Sequence, residues 1–243
     1  MSSGNRYHIE VSGLSFQYPD GHAALRDVSF RIPGYEKVAL VGANGSGKST
    51  LLLHLNGILR AASGTVTICG MALNDSNLSR IRASVGLLFQ NPDDQLFSLS
   101  VYEDVAFGPQ HIGLPDAEIK TRVHRALDDV GMSGYAERMS HHMSMGEKKR
   151  VALATALSMQ PPVLALDEPS AGLDPRGRRG FIEVVSRFDA QTVLISTHDM
   201  RLAAQTCSRV ILLNAGQIVA DGDAATILYD RGLMEQHGLE TPD

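Results

Sequence analysis

Apolar and polar residues alternate at Ile9, Val11 and Leu14 and again at Val28, Phe30 and Ile32. That two-residue period predicts strands of an N-terminal antiparallel β layer. Residues 65–68, closed by Gly70, predict another strand, and residues 85–89 a fifth, followed by a polar break from Gln90 to Asp94. From 101 to 160 the period turns helical: Ile119, Val123, Ala126, Leu127 and Val130 share one face, between a Pro115-Asp116 start and a Gly131 stop. A second helix is expected over 147–159, with Val151, Leu153, Ala154 and Leu157 apolar and Pro161-Pro162 as its end. Apolar runs at 38–41, 163–166, 192–195 and 210–213, separated by helical stretches, predict parallel strands with crossover helices. The pattern describes one α/β domain over 1–243. Its core spans 1–90 and 161–243, with a mostly parallel sheet and the antiparallel layer, and a helical subdomain is inserted at 91–160.

Composition narrows the function. A formal net charge of −5 argues against a nucleic-acid protein built on a broad basic surface, and the absence of Trp against a stacking platform for single strands. Cys69 and Cys207 form no Cys-x-x-Cys pair, which fits a reducing compartment and gives no zinc site. No apolar run approaches 18 residues, and residues 1–6 hold no signal-peptide core, so any membrane role is expected to come through a partner.

Chemistry is concentrated in one segment. Gly42-Ala43-Asn44-Gly45-Ser46-Gly47-Lys48-Ser49 matches Gly-x-x-x-x-Gly-Lys-Ser, follows the 38–41 strand and opens a helix that is expected to run through Leu51, Leu52, Leu55 and Ile58. Glycines let backbone N–H groups wrap phosphate oxygens, and the helix directs its positive end at the same charge. Lys48 suits the β- and γ-phosphates, and the Ser49 hydroxyl suits Mg²⁺. The motif implies a P-loop that binds a nucleoside triphosphate. Asp167-Glu168 ends the 163–166 strand, where the carboxyl edge of a parallel sheet holds ligands. Asp167 fits a hold on Mg²⁺, and Glu168 could orient or deprotonate the attacking water. His198 follows the 192–195 strand and is placed for phosphate contact.

With these motifs in this order, the chain resembles the nucleotide-binding subunit of an ATP-binding-cassette (ABC) transporter along almost its whole length. The resemblance implies a P-loop NTPase core that binds ATP and Mg²⁺ through residues 42–50, Thr50 included, and makes Tyr18 the aromatic that stacks on adenine. Gln90 becomes the glutamine that couples Mg²⁺ to the transmembrane partner, Glu168 the catalytic carboxylate and His198 the switch histidine. Ser144, Met145, Gly146 and Glu147 fall at the signature, and Ser170 to Asp174 at the D-loop. The signature keeps Ser144 and Gly146 of the family's Leu-Ser-Gly-Gly-Gln but has Met145 and Glu147 in place of glycine and glutamine. Glu147 is expected to point away from phosphate. The family's working form is a head-to-tail pair of cassettes, each signature covering the partner's ATP, here a homodimer or a heterodimer with a related ATPase.

The stretches Asn91-Pro92-Asp93-Asp94-Gln95-Leu96-Phe97 and 101–109 are similar to ATPases of energy-coupling-factor importers, and residues 55–59 are most like cobalt or nickel uptake ATPases. Vitamin-type members stay open. Such importers imply a transmembrane coupling protein and a substrate-binding membrane component, with the ATPases peripheral on the cytoplasmic face of the inner membrane. Asp93, Asp94, Glu103 and Asp104 are expected to receive the coupling protein's arginines. His141-His142 is expected to point apart and bind no metal, and Arg176-Gly177-Arg178-Arg179 to be a solvated helix face. A non-transport ABC ATPase is the rival reading. Repair heads carry a long coiled coil and translation factors two cassettes, and neither is seen in this sequence.

Overall fold

The computed structural model describes residues 7–242; residues 1–6 and residue 243 lie outside the described part of the chain. It begins with two long strands, β1 (Tyr7–Gln17) and β2 (Ala23–Pro33), and continues through β3 (Lys37–Val41), α1 (Lys48–Leu55), β4 (Ser63–Ile68), β5 (Met71–Ala72), α2 (Leu78–Ser84) and β6 (Val85–Leu88). Three helices come next, α3 (Val101–His111), α4 (Asp116–Asp129) and α5 (Met145–Leu157). Then come β7 (Val163–Asp167), α6 (Pro175–Ser186), β8 (Thr192–Thr197), α7 (Met200–Thr206), β9 (Arg209–Asn214), β10 (Gln217–Asp223), α8 (Ala224–Leu228) and α9 (Arg231–Gln236).

The first sheet is antiparallel, in the order β2-β1-β4-β5, and pairs Ile9 with Ile32, Val11 with Phe30 and Leu14 with Val28. Val11 and Leu14 are three residues apart, so strict alternation would turn one of them outward. A register slip between them, at Gly13 with φ 61°, keeps both buried. The second sheet runs β10-β9-β3-β8-β7-β6, parallel except for the edge strand β10.

Both faces of the central strands are covered, and the two-residue period sorts their side chains between two cores. Val38 and Leu40 pack with α1 and the antiparallel sheet, whereas Ala39 and Val41 pack with α3 to α8. The same split divides Val163 and Ala165 from Leu164 and Leu166. This double burial makes these runs continuously apolar, and it lines up the ends of β3, β7 and β8 at one edge.

Two helix boundaries differ from the sequence reading. α1 stops at Leu55, because Gly57 adopts φ 71° and turns the chain, so Ile58 is outside the helix and exposed. α5 starts at Met145, two residues before the expected start at Glu147, because Ser144 caps it. The 85–89 segment lies in the parallel sheet, paired with β7. β10 gave no apolar signal: it is an edge strand whose residues are partly or fully exposed.

Candidate functional site

At the end of β3 the loop 42–47 closes on the start of α1. Gly47 sits at φ 105°, and a Cβ there would stand 2.5 Å from the Ala24 carbonyl oxygen, so only glycine fits. No side chain caps α1, and no acidic residue occupies its first turn. Its first amides therefore face the cleft with their partial positive charge uncompensated. Lys48 Nζ donates to the carbonyls of Gly42 (2.8 Å) and Ala43 (3.2 Å) and lies 3.6 Å from Glu168 Oε1. Burial lowers the Lys48 pKa, while Glu168 and then Asp167 oppose that shift.

The cleft in front of this loop measures about 410 Å³ and is lined by Tyr18, His22, residues 44–50, Gln90 and Glu168, among others. Tyr18 Oη lies 3.0 Å from Thr50 Oγ1, which anchors the ring to α1, and its ring is stacked with His22 at 6.5 Å. The mouth thus presents a flat aromatic surface beside the phosphate end.

The ends of β7 and β8 supply the opposite wall. Asp167 Oδ1 accepts from Ser196 Oγ at 2.7 Å, and among the described residues Oδ2 has no hydrogen-bond partner. Glu168 adopts φ 43°, a strained conformation for a non-glycine residue, with its N–H donating to Ser196 O at 2.9 Å. His198 Nδ1 stands 2.9 Å from Glu168 Oε2, so the carboxylate is bracketed by a lysine and an imidazole. Ser49, Gln90 and Asp167 each keep a side-chain oxygen free of hydrogen bonds to the other described residues. That is the donor chemistry a hard cation such as Mg²⁺ requires beside phosphate oxygens.

The signature lies elsewhere. Ser144 is the N-cap of α5 and makes a full capping box with Glu147: Ser144 N and Oγ both donate to Glu147 Oε2 at 2.8 Å. Tyr135 Oη donates to Glu147 Oε1 at 2.7 Å. The Tyr135 bond, then those from Ser144, hold the Glu147 carboxyl below the usual range. Glu147 therefore does not point away, as expected from the sequence, but folds back over the helix start. Among the described residues, none of the signature lines the cleft. Met145 and Gly146 adjoin Gly172 and Leu173 of the same chain's D-loop.

Residues 25–171 match the profile of the ABC transporter family. The chain belongs to that family. The energy-coupling factor transporter ATP-binding protein EcfA of Carboxydothermus hydrogenoformans is 49% identical over 236 residues, covering 96% of this chain and 87% of that protein. Among solved structures, cbiO1 of Clostridium perfringens, part of the ABC transporter complex cbiONQ, superimposes with a TM-score of 0.84 at 36% identity, over 96% of this chain and 94% of that one. The ATP-binding cassette MJ0796, solved as a dimer in a post-hydrolysis state bound to ADP and Pi, gives 0.80 at 26% identity, over 89% and 98%. The chain is an ABC transporter ATPase, which couples ATP hydrolysis to transport. Among the described residues, no helix is long and apolar enough to cross a membrane.

Of the four acidic residues expected to receive the coupling protein, Asp104 alone is buried. Asp104 is 3% exposed and accepts from Phe97 N (3.0 Å) and Ser98 N (2.8 Å), so its charge orders the loop from inside. Glu103 is committed to a capping box with Ser100. Asp93 pairs with Lys148 of α5 at 2.7 Å, and Asp93, Asp94 and Glu103 all remain exposed. Exposed beside them are Phe97 (66%), Leu99 (77%) and Phe107 (51%), with the two Phe rings edge to face at 5.1 Å.

Two further expectations change. The His141 and His142 rings touch, at 4.2 Å between centroids, although no group of three metal-binding side chains occurs among the described residues. In α6, Arg176 and Arg179 are solvated, whereas Arg178 pairs with Asp199 at 3.2 Å, and Ser170 Oγ donates to the same carboxylate. Asp174 is the N-cap of α6 and accepts from Gly177 N.

His22, Tyr135 and Lys149 are site residues that the sequence reading passed over. Lys149 alone had a signal, its three- and four-residue spacing to the buried Ala152 and Leu153.

Proposed function

We propose that this chain is the ATP-hydrolysing subunit of an energy-coupling-factor importer for cobalt or nickel. In this reading it works as a pair of cassettes on the cytoplasmic face of the cell membrane, beneath a transmembrane coupling protein and a substrate-binding component. The carrying observation is a cleft with Lys48, Glu168 and His198 converging on one side while the chain's own signature lies outside it. A second copy, with its signature facing this cleft, completes the constellation.

Lys48 exchanges its two loop carbonyls for phosphate oxygens, and Tyr18 stacks on the base. Ser49, Asp167 and Gln90 are the residues that would hold Mg²⁺, whose chemistry here is neutralisation of phosphate charge. Glu168, bracketed by Lys48 and His198, takes the proton of the attacking water. Ser144 to Glu147 act on the partner's nucleotide. The exposed Phe97, Leu99 and Phe107 with the exposed Asp94 and Glu103, close to Gln90 in the chain, form the surface offered to the membrane partner: an apolar contact with carboxylates to receive basic side chains.

The likeness to cbiO1 supports a metal substrate. The higher identity to EcfA favours a second reading, an importer of the vitamin type. Capture of the tagged chain from membranes, followed by reconstitution, separates the two. ATP-dependent uptake of radiolabelled Co²⁺ or Ni²⁺ is expected; uptake of a vitamin alone would replace the metal reading. Failure to retain any polytopic membrane protein would remove the importer reading altogether.

A further inference from the structure

The helix that begins at the signature reaches the catalytic carboxylate through one buried side chain. Lys149, in the second turn of α5, is 1% exposed and is among the largest fully buried side chains of the described residues. Burying an ammonium is costly unless it is well paired. Lys149 Nζ donates to a single acceptor among those residues, the Glu168 carbonyl oxygen, at 2.8 Å. The same carbonyl accepts from Ala171 N at 3.1 Å. Two donors on one oxygen fix the peptide plane on the C-terminal side of Glu168, and with it a backbone held at φ 43°. The direction of the Glu168 side chain, toward Lys48 and His198, depends on that backbone.

We propose that Lys149 is a positioning residue for hydrolysis: from the signature helix it holds the strained Glu168 backbone so that the carboxylate stays aimed between Lys48 and His198. The inference rests on reading Glu168 as the group that takes the proton from water. Desolvation lowers the Lys149 pKa to about 8, against the pull of the Glu168 and Asp167 carboxylates, so the site carries a cation at a cost. A residue kept only for stability would be aliphatic at this depth. Its tip reaches the end of β7.

The test compares Lys149→Met, which keeps the stem and removes the donor, with Lys149→Gln, which keeps a neutral donor. For Lys149→Met, kcat is expected to fall about 10²-fold, the scale of a displaced catalytic group. ATP affinity should stay within a few-fold and the melting temperature should be unchanged or raised. Lys149→Gln should recover part of kcat. In single-turnover measurements on the Glu168→Gln background, Lys149→Met should add almost nothing, because its effect acts through that carboxylate. Wild-type kcat in folded Lys149→Met, or losses that simply multiply in the double variant, would overturn the inference. If Lys149→Met does not fold, Lys149→Gln with normal ATP binding and normal kcat has the same force. An unaltered kcat in Glu168→Gln alone would instead remove the reading of Glu168, whatever Lys149 does.

Discussion

α1 and α5 both open on a motif that holds a serine and a glycine, yet their first turns are built in opposite ways. α1 has Gly47 at the N-cap, no side-chain cap and Thr50 at the third helical position. α5 has Ser144 at the N-cap and Glu147 at that same third position, closed into a capping box and braced by Tyr135. One helix start leaves its amides for an anion from outside, and the other already holds its own carboxylate. An unpaired helix start is unfavourable in isolation, so leaving α1 open makes sense only where a phosphate completes it. At α5 the internal carboxylate stabilises the lone chain, and in the proposed pair of cassettes it would compete with the phosphate that the second one brings.

Exchanging the two third positions gives the largest expected effect. Thr50→Glu places at α1 the charge that α5 carries. A carboxylate about 4 Å from phosphate costs about 4 kcal/mol at an effective dielectric of about 20, or roughly 10³-fold in ATP affinity. Calorimetric titration of the folded variant with ATP reads this directly, and near-normal affinity would break the comparison. In the other direction, Glu147→Gln keeps the cap geometry and removes the charge. The ATP concentration that drives pairing of the hydrolysis-deficient Glu168→Gln chain should fall about three- to tenfold, a gain of about 1 kcal/mol, as followed by light scattering. An increase would mean that the carboxylate assists the partner's nucleotide.

Removing the cap itself is a smaller change. Ser144→Ala should cost about 1 kcal/mol of stability and lower the melting temperature by about 2–4 °C. A Gly47→Ser change at α1 should not gain a comparable amount, since φ 105° excludes the cap conformation. The smallest effect is on pH. The folded-state pKa of Glu147 is lowered, so the stability it contributes is present above the ordinary carboxylate value of 4.5 and is lost as pH falls through the lowered one. Between about pH 5 and 3 the wild type should lose slightly more melting temperature than Glu147→Gln, while above about pH 6 the difference between them should be constant.

The two starts also differ in how far each was legible. Residues 42–49 announce an anion site, because only glycine allows the loop and only a lysine and a hydroxyl suit its cargo. Ser144-x-x-Glu147 is equally local, a capping box written in four letters, yet its family role drew attention to phosphate rather than to the helix it caps. Around α3 the sequence showed four carboxylates and could not tell which were free. Asp104 turns inward because two amides of the 97–98 loop need an acceptor, and that need exists only once the loop is folded.

What the sequence by itself determined is whatever depends on neighbours along the chain: the strand and helix periods, the glycines of the P-loop, and the Asp167-Glu168 pair at the end of an apolar run. Tertiary structure alone decided the relations between distant segments. Glu168 is placed by Lys48, His198, Ser196 and Lys149, which lie 120, 30, 28 and 19 residues from it in the chain. Hydrogen bonds and ion pairs act over a few ångströms of space, whatever the separation along the chain. The parallel sheet is what brings the ends of β3, β7 and β8 within that reach.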